Sequence, residues 1–206
     1  MLRYLVYGIT FAFAAAVQPG PFQAFLLSQA VSRGWRRTLP AAFAPLLSDG
    51  PIVALVLLVL TRVPAWLVTV LQGLGGVFLI YLAWGAARTW REDPARQSAP
   101  AGGGPPTVWK AALVNLLNPN PYLSWSLVMG PLLLKGWAEA PLHGAALLLG
   151  FYITMVACQM GIILLFAGAG NLGPKVGRAL VGVSALALAG FGAYELWMAA
   201  RSLGLG

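Results

Sequence analysis

Six long apolar segments constrain the fold of this chain more than any other feature of its sequence. They cover residues 4–30, 39–60, 64–87, 109–134, 142–167 and 179–200. At about 1.5 Å per residue, each is long enough to cross the roughly 30 Å of a bilayer's hydrocarbon core. Only 9% of the residues are charged, against about 25% in an average soluble domain. We therefore predict an all-α membrane protein with six transmembrane helices.

Composition also argues against most enzyme and metal-binding classes. The chain has one Cys, one His and five acidic residues, and it carries no zinc-protease, serine-hydrolase or phosphate-loop motif. We expect no cofactor, no metal site and no enzymatic activity. The net charge of +8 would suit nucleic acid. In a membrane protein, however, it is the bias expected of cytoplasmic loops, so no nucleic-acid partner is predicted.

The basic residues fall unequally on the two sides of the predicted bundle. One side would hold Arg33, Arg36, Arg37, Arg88, Arg91, Arg96, Lys110, Lys175 and Arg178, and the other Arg3, Arg62, Lys135 and Arg201. Because cytoplasmic loops are enriched in Lys and Arg, the first side is predicted to be cytoplasmic. It includes a charged, then Ala-, Gly- and Pro-rich linker at residues 88–108. Both termini are then predicted to lie outside the cell.

The linker divides the chain into two similar three-helix halves, residues 1–87 and 109–206. QPGPF at residues 18–22 matches NPNPY at 118–122, and RGWRRTLP at 33–40 matches KGWAEAP at 135–141. An odd number of helices per half makes the second half enter the membrane from the opposite side. The prediction is a 3+3 inverted repeat with interrupted helices 1 and 4. Because the first segment is the partner of the fourth, we expect it to be retained rather than cleaved as a signal peptide.

The two Pro-x-Pro motifs are predicted to interrupt helices within the membrane. Proline lacks a backbone donor and clashes with the preceding turn. A restarted half-helix exposes N–H groups that favour an anion, and an ended half-helix exposes carbonyls that suit a cation. Two facing breaks could therefore bind both ends of a zwitterion, and hinges without ligand contact are the alternative. The candidate substrate-binding residues are Gln18, Pro19, Gly20, Pro21, Gln23, Asn115, Asn118, Pro119, Asn120, Pro121 and Tyr122.

Asp49 is the predicted site of proton coupling or of recognition of a substrate ammonium group. It is the eleventh residue of a twenty-two-residue apolar segment, so it should lie near the bilayer midplane, where a carboxylate costs about 2.5–3.5 kcal/mol. Gly50 and Pro51 follow it and predict a further helix interruption. The nearest polar residues at similar depth in the second half are Thr154, Cys158 and Gln159. The alternative is a protonated Asp49 that is hydrogen-bonded to a neighbouring helix.

The motifs together resemble those of the LysE/RhtB-type translocators. The matching stretches are PGP at residues 19–21, SRG at 32–34, SDG at 48–50, YLAWGAAR at 81–88 and LLNPNPYLSW at 116–125. The resemblance implies a secondary transporter that exports an amino acid or small metabolite across a bacterial inner membrane, driven by the membrane potential or a proton gradient. The family-motif positions it points to are Pro19, Gly20, Pro21, Asp49, Asn118 and Pro119. Phe22 departs from the family pattern, which continues Pro-Gly-Pro with Asn, and this leaves the substrate open.

Two other functions remain open from the sequence. One is a membrane scaffold or accessory subunit whose broken helices bind a partner. The other is an ion transporter, although a single deep carboxylate makes a poor metal site. A polar cavity between the two breaks would favour transport of a small molecule, and the deep tryptophans Trp84 and Trp125 are candidates to line it. The bilayer is a predicted partner, and both a monomer and a homo-oligomer are open.

Overall fold

All regular structure in the described part of the chain is helical. The computed structural model describes residues 1–18, 20–58, 65–91, 107–170 and 172–203. The helices are α1 (Leu2–Val17), α2 (Pro21–Arg33), α3 (Trp35–Thr38), α4 (Ala44–Leu58), α5 (Ala65–Arg91), α6 (Thr107–Leu116), α7 (Pro119–Ser124), α8 (Gly130–Glu139), α9 (Pro141–Gly170) and α10 (Pro174–Ser202). A 3₁₀ turn at Leu39–Phe43 precedes α4, and a π-helical turn at Trp125–Met129 joins α7 to α8. The all-α prediction is confirmed.

Helix length and composition support four or five of the six predicted spans. Among the described residues, four stretches are long and apolar enough to cross a membrane, at residues 35–57, 65–88, 141–170 and 175–202. Helices α1 and α2 meet at an angle of 66° and together qualify as a fifth. The remaining predicted span, residues 109–134, is divided among α6, α7, the π turn and α8. It therefore contains a break, as the Pro-x-Pro motif predicts.

Two boundaries differ from the sequence predictions. Helix α5 continues to Arg91, so the predicted linker at 88–108 begins with helical residues, and its residues 92–106 lie outside the described part. The predicted interruption at Gly50 and Pro51 is wrong, because α4 runs through both residues. The clash that a proline imposes on the residue before it involves that residue's Cβ. Gly50 has no Cβ, and neighbouring helices commonly allow prolines inside membrane helices.

Helices α5 and α10 form a closely packed antiparallel pair. A Cβ atom added at Gly76 would lie 2.9 Å from the carbonyl oxygen of Gly192 and 2.7 Å from Cγ of Leu196. The start of α5 meets the end of α10, where the hydroxyl groups of Thr69 and Ser202 are 2.9 Å apart. Small residues let membrane helices approach at backbone distance and gain dispersion contacts. The pair therefore depends on glycine at this crossing.

Helices α1 and α9 also pack closely, but they run in the same direction. The Tyr4 ring stacks on His143 with centroids 5.1 Å apart, and further along both helices Phe11 contacts Phe151 at 6.3 Å. Arg3 pairs with Glu139, which lies just before α9. The start of the chain therefore sits at the same end of the bundle as the connection between α8 and α9.

Large apolar side chains cover the outside of the bundle. Leu127, Leu165 and Leu186 are 70%, 72% and 75% exposed. Apolar exposure on this scale is unfavourable in water, but it is the surface that a membrane helix presents to lipid. The structure thus agrees with the membrane assignment made from hydropathy.

Substitution at the glycine crossing should destabilise the fold. Gly76→Ala should lower the free energy of unfolding by about 1–3 kcal/mol, because the new methyl group overpacks the seam. Gly190→Ala in α10 is the matched control, since a Cβ there meets nothing within 4 Å. Its higher helix propensity should be neutral or stabilising by up to about 1 kcal/mol. Equal melting temperatures (Tm) for the two purified variants would contradict the close approach.

Glu139 should make stability depend on acid pH. The hydrogen bond from Tyr4 and the guanidinium of Arg3 hold the pKa of Glu139 below its ordinary value of 4.5. Its contribution is therefore complete above pH 4.5 and is lost as the pH falls through the lowered pKa. Glu139→Gln should have a lower Tm than the parent at pH 7, and the difference should shrink below pH 4.5. A difference that stays constant across this range would rule out the ion pair as its cause.

Candidate functional site

The first helix break lies between α1 and α2. Gln18 and Gly20 are extended there, and Pro21 is the first residue of α2, where its missing N–H leaves no helical bond unmade. Pro19 lies outside the described residues. The Gln23 side chain reaches back across the break, and its Nε2 donates to the carbonyl oxygen of Ala16 at 2.8 Å. This bond satisfies a carbonyl that has lost its helical partner.

The second break lies between α6 and α7 and is built differently. Asn118 is extended and caps α7, with its Oδ1 accepting from the backbone N–H of Asn120 at 3.0 Å. Pro119 is therefore the first residue of the restarted helix, and Pro121 lies within its first turn. The chain restarts its helix two residues earlier than at the first break when the two motifs are aligned. The capping side chain of Asn118, which Gln18 does not match, explains the difference.

The two breaks nevertheless satisfy corresponding carbonyl groups. Tyr122 donates its hydroxyl to the carbonyl oxygen of Leu116 at 3.0 Å. Leu116 is one hundred residues after Ala16, which accepts from Gln23 at the first break. In each half, a side chain of the restarted helix thus binds the end of the helix before it. Such groups must find partners because hydrocarbon offers none.

Both breaks line the same cavity, which holds about 110 Å³. On this measure a water molecule needs about 10–15 Å³, so several fit. The predicted site residues that line it are Gln18, Gly20, Pro21, Gln23, Asp49, Asn115, Asn118, Asn120 and Pro121. Pro119 and Tyr122 do not line it, because both are buried in the packing around the second break. The breaks and Asp49 therefore come together, and their role in binding a substrate stays a prediction.

The side chain of Asp49 on α4 is held by a hydrogen bond from α6. Its side chain is only 4% exposed, and Asn115 on α6 donates from Nδ2 to its Oδ1 at 2.9 Å. The same amide lies 2.7 Å from the hydroxyl of Ser48. The indole of Trp125 is a further polar neighbour of the carboxyl group. One carboxyl oxygen is thus fixed by a helix of the second half, while the side chain as a whole faces the cavity.

A π-helical turn places Trp125 in the cavity wall. The Gly130 N–H donates to the carbonyl of Trp125, five residues before it, and a Cβ at Gly130 would collide with that carbonyl. Single π turns within helices occur often at functional sites. The ring of Trp125 is 2% exposed and packs edge-on against Phe151 at 5.7 Å. The other deep tryptophan, Trp84, lines a different cavity.

Gln159 is the polar wall residue that sequence reasoning did not select. It lies on α9, is 2% exposed and lines the cavity. Its Nε2 donates weakly to the sulfur of Met155 at 3.7 Å, and its Oε1 has no partner among the described residues. A buried acceptor without a donor is unfavourable unless a ligand supplies one. The sequence does contain one indication of its role, because Gln159 is the one glutamine in the apolar segment at residues 142–167.

Apart from Ser124, the rest of the cavity wall is apolar, and it carries few charged groups. The apolar lining residues are Phe11, Ala15, Phe22, Pro45, Trp125, Phe151 and Met155. Asp49 is the one ionisable group on the wall within the described residues. No group of three or more His, Cys, Asp or Glu residues there could hold a metal ion. The site offers a carboxyl group, several amides and an aromatic surface.

Comparison with known families agrees with this geometry. The family model for the LysE type translocator matches residues 13–198. The chain belongs to the LysE type translocator family. The match includes both breaks, Asp49 and Gln159, and it confirms the resemblance drawn from the motifs. Neither the curated proteins nor the solved structures contain a match to the chain. As a LysE type translocator with several apolar spans, the protein is a multi-pass membrane transporter rather than a member of an enzyme family.

Removal of the tyrosine cap should weaken the fold of this translocator. Tyr122→Phe deletes the hydroxyl that binds Leu116 and leaves its carbonyl unpaired, which should lower the free energy of unfolding by about 1–3 kcal/mol. Tyr194→Phe is the matched control, because Tyr194 is 53% exposed. Only Tyr122→Phe should lower the Tm of the purified protein. If both variants melt with the parent, the carbonyl finds another donor and the cap is not needed.

Proposed function

We propose that this LysE type translocator is a secondary transporter that exports a small zwitterionic metabolite, most simply an amino acid. The observation that carries the proposal is the cavity in which two helix breaks, several amides and a buried carboxyl group meet. Interrupted helices that face each other are the usual binding site of inverted-repeat transporters. A scaffold subunit would need no polar cavity at this place.

The proposed architecture is six crossings in two inverted halves, with the broken segment 107–139 as the fourth crossing. The directions of the packed helices support it. Helix α1 runs parallel to α9, and α5 runs antiparallel to α10. Helix α4 runs parallel to the broken segment from α6 to α8, since Asp49 meets Asn115 on α6 and Leu57 meets Gly130 on α8. A chain that crosses the membrane six times in alternating directions would have these three parallel and antiparallel pairings. Both breaks then belong to equivalent helices of the two halves.

The ends of the bundle agree with the predicted orientation. At one end, Arg33 of α2 lies near Lys110 of α6, and Trp90 of α5 packs against Gly182 of α10. This basic end corresponds to the side that is rich in Lys and Arg and would be cytoplasmic. Both described termini lie at the other end, which would be outside. The proposed location is the inner membrane of a bacterium, as the resemblance implies.

The chemistry of the wall favours a ligand with an ammonium group and an apolar part. Asp49 and the free Oε1 of Gln159 are acceptors, which suit an ammonium group. The first turn of α2 begins at the cavity, and its N–H groups without helical partners suit a carboxylate. Phe11 and Phe151 offer an apolar surface for a side chain. A second cationic group on the ligand would meet no second carboxylate within the described wall.

Asp49 would couple export to proton entry. In the proposed cycle, ionised Asp49 binds the ammonium group when the cavity is open to the cytoplasm. A proton that enters from outside neutralises Asp49 and removes the charge that holds the ammonium group, so the substrate leaves outward. The proton then passes to the cytoplasm and restores the carboxylate. The hydrogen bond that Asn115 donates to Asp49 is strongest while the carboxyl group is ionised, so it weakens when the proton arrives.

Asp49→Asn should separate exchange from pumping. The amide keeps the size and hydrogen bonding of Asp49 but cannot ionise. In proteoliposomes screened with single amino acids, substrate exchange without a gradient should survive with a raised KM, because the charge that holds the ammonium group is gone, whereas uphill transport driven by a pH gradient should be lost. Glu139→Gln is the matched control, because Glu139 pairs with Arg3 at one end of the bundle and does not line this cavity. It should pump like the parent.

Two results would count against this assignment. Uphill transport by Asp49→Asn equal to that of the parent would make Asp49 a structural hydrogen-bonding residue, with coupling through the membrane potential. Absence of any amino-acid flux by the parent protein, with intact insertion, would reject the transport of amino acids itself. The two results concern different steps and are read from the same vesicles.

A further inference from the structure

A second cavity lies at the basic end of the bundle, between three helices. It holds about 190 Å³ and is bordered by the end of α2, the last turns of α5 and the start of α6. We call it the basic pocket and define it by Gln29, Ser32, Arg33, Trp84, Arg88 and Lys110. It shares no lining residue with the cavity at the helix breaks.

Within the described residues, the basic pocket gathers three cations without a balancing anion. Arg33 lies close enough to Lys110 for the two charges to repel each other. Arg88 completes the set, and its guanidinium lies over the Trp84 ring at 5.3 Å from the centroid. The ion pairs present among the described residues involve Glu139 at the other end of the bundle. Such a cluster is electrostatically unfavourable until an anion occupies it.

The polar groups beside the three cations indicate which functional groups the bound anion should carry. The Gln29 Oε1 is buried and has no partner among the described residues. It is an acceptor, so it suits a hydroxyl donor on the ligand rather than the anionic group itself. The hydroxyl of Ser32 donates to the carbonyl of Ser28 and is already used. A ligand that carries both an anionic phosphate and a free hydroxyl group would satisfy all these features.

The pocket borders the surface that faces lipid. Tyr81 and Trp84 line it and are 60% and 63% exposed. Aromatic rings of this kind occur at the level of the lipid headgroups. Basic pockets between membrane helices at the cytoplasmic side commonly hold anionic headgroups. This position favours a lipid over an anion from solution.

We propose that the basic pocket binds the phosphate group of an anionic glycerophospholipid whose headgroup also carries a hydroxyl, as phosphatidylglycerol does. Arg33, Arg88 and Lys110 bind the phosphate, and Gln29 accepts from the headgroup hydroxyl. Because α2 and α5 belong to the first half and α6 to the second, the lipid joins the two halves at the cytoplasmic end. The proposal does not depend on which substrate the protein carries.

The test is a binding titration of the purified full-length protein with short-chain lipids. Dioctanoyl phosphatidylglycerol should bind tighter than dioctanoyl phosphatidylcholine. Arg33→Gln and Lys110→Gln should each weaken phosphatidylglycerol binding by about fivefold, and the double variant by about 25-fold. Lys175→Gln is the matched control, because Lys175 lies on the same side but outside the pocket. It should bind like the parent, and the Tm of each variant without lipid checks folding.

Several outcomes of this titration would contradict the proposed lipid site. Equal affinity for the two lipids, unchanged binding by the double variant, or equal weakening by Lys175→Gln would overturn the site. Inorganic phosphate at the same concentration should not displace the lipid. If it does, the anion comes from solution and the lipid assignment is wrong.

Discussion

The rest of this structure depends on how the backbone carbonyl groups that lose their helical partners at the two breaks are hydrogen-bonded. In hydrocarbon a backbone group without a partner is strongly unfavourable, so a broken helix persists only if its own neighbours satisfy it. Here Gln23 and Tyr122 do so, each from the helix that restarts after the break. Each of these hydrogen bonds joins the two helices on either side of a break and thereby fixes the bend between them. The remaining amides, such as Asn120, are left for the cavity that the bends enclose.

In the proposed inverted repeat, the two halves share the same order of helices but contribute different residues to the cavity, and this difference suits the proposed function. Asp49 lies on α4 in the first half of the chain, and Phe151 lies on α9 in the second half. Both line the cavity. One wall therefore offers a carboxyl group and the other an aromatic ring. A symmetric site would bind a ligand in either orientation, whereas this one distinguishes an ammonium group from an apolar side chain.

The sequence was informative where residue type alone determines local structure. Paired Pro-x-Pro motifs in apolar segments predicted breaks, and odd-numbered halves predicted that those breaks would meet. It was not informative about where each helix restarts, because that depends on whether Asn118 caps the new helix. Nor did it reveal that α4 would continue through Pro51. Gln159 was noted for its depth but not predicted to be a site residue, because α9 is apolar on nearly every face and no periodic pattern distinguishes the side that faces the protein from the side that faces lipid.

Two different kinds of contact join the helices of this bundle. We call the hydrogen-bonded contact of Asp49 with Asn115 the polar seam, and the contact of Gly76 with Gly192 the glycine seam. At the cavity, directional hydrogen bonds such as that from Asn115 to Asp49 join the halves and resist sliding. Between α5 and α10, the third helices of the two halves in the proposed repeat, Gly76 meets Gly192 at backbone distance, and the side chains of Ile80 and Leu196 pack against these glycines. Alternating access in such folds is largely rocking of one half against the other. In the proposed cycle the glycine seam would act as the pivot, because the close backbone contact at this crossing keeps α5 and α10 together. Neutralisation of Asp49 would weaken the polar seam, and proton entry would thereby release both the substrate and the contact that holds the cavity in one orientation.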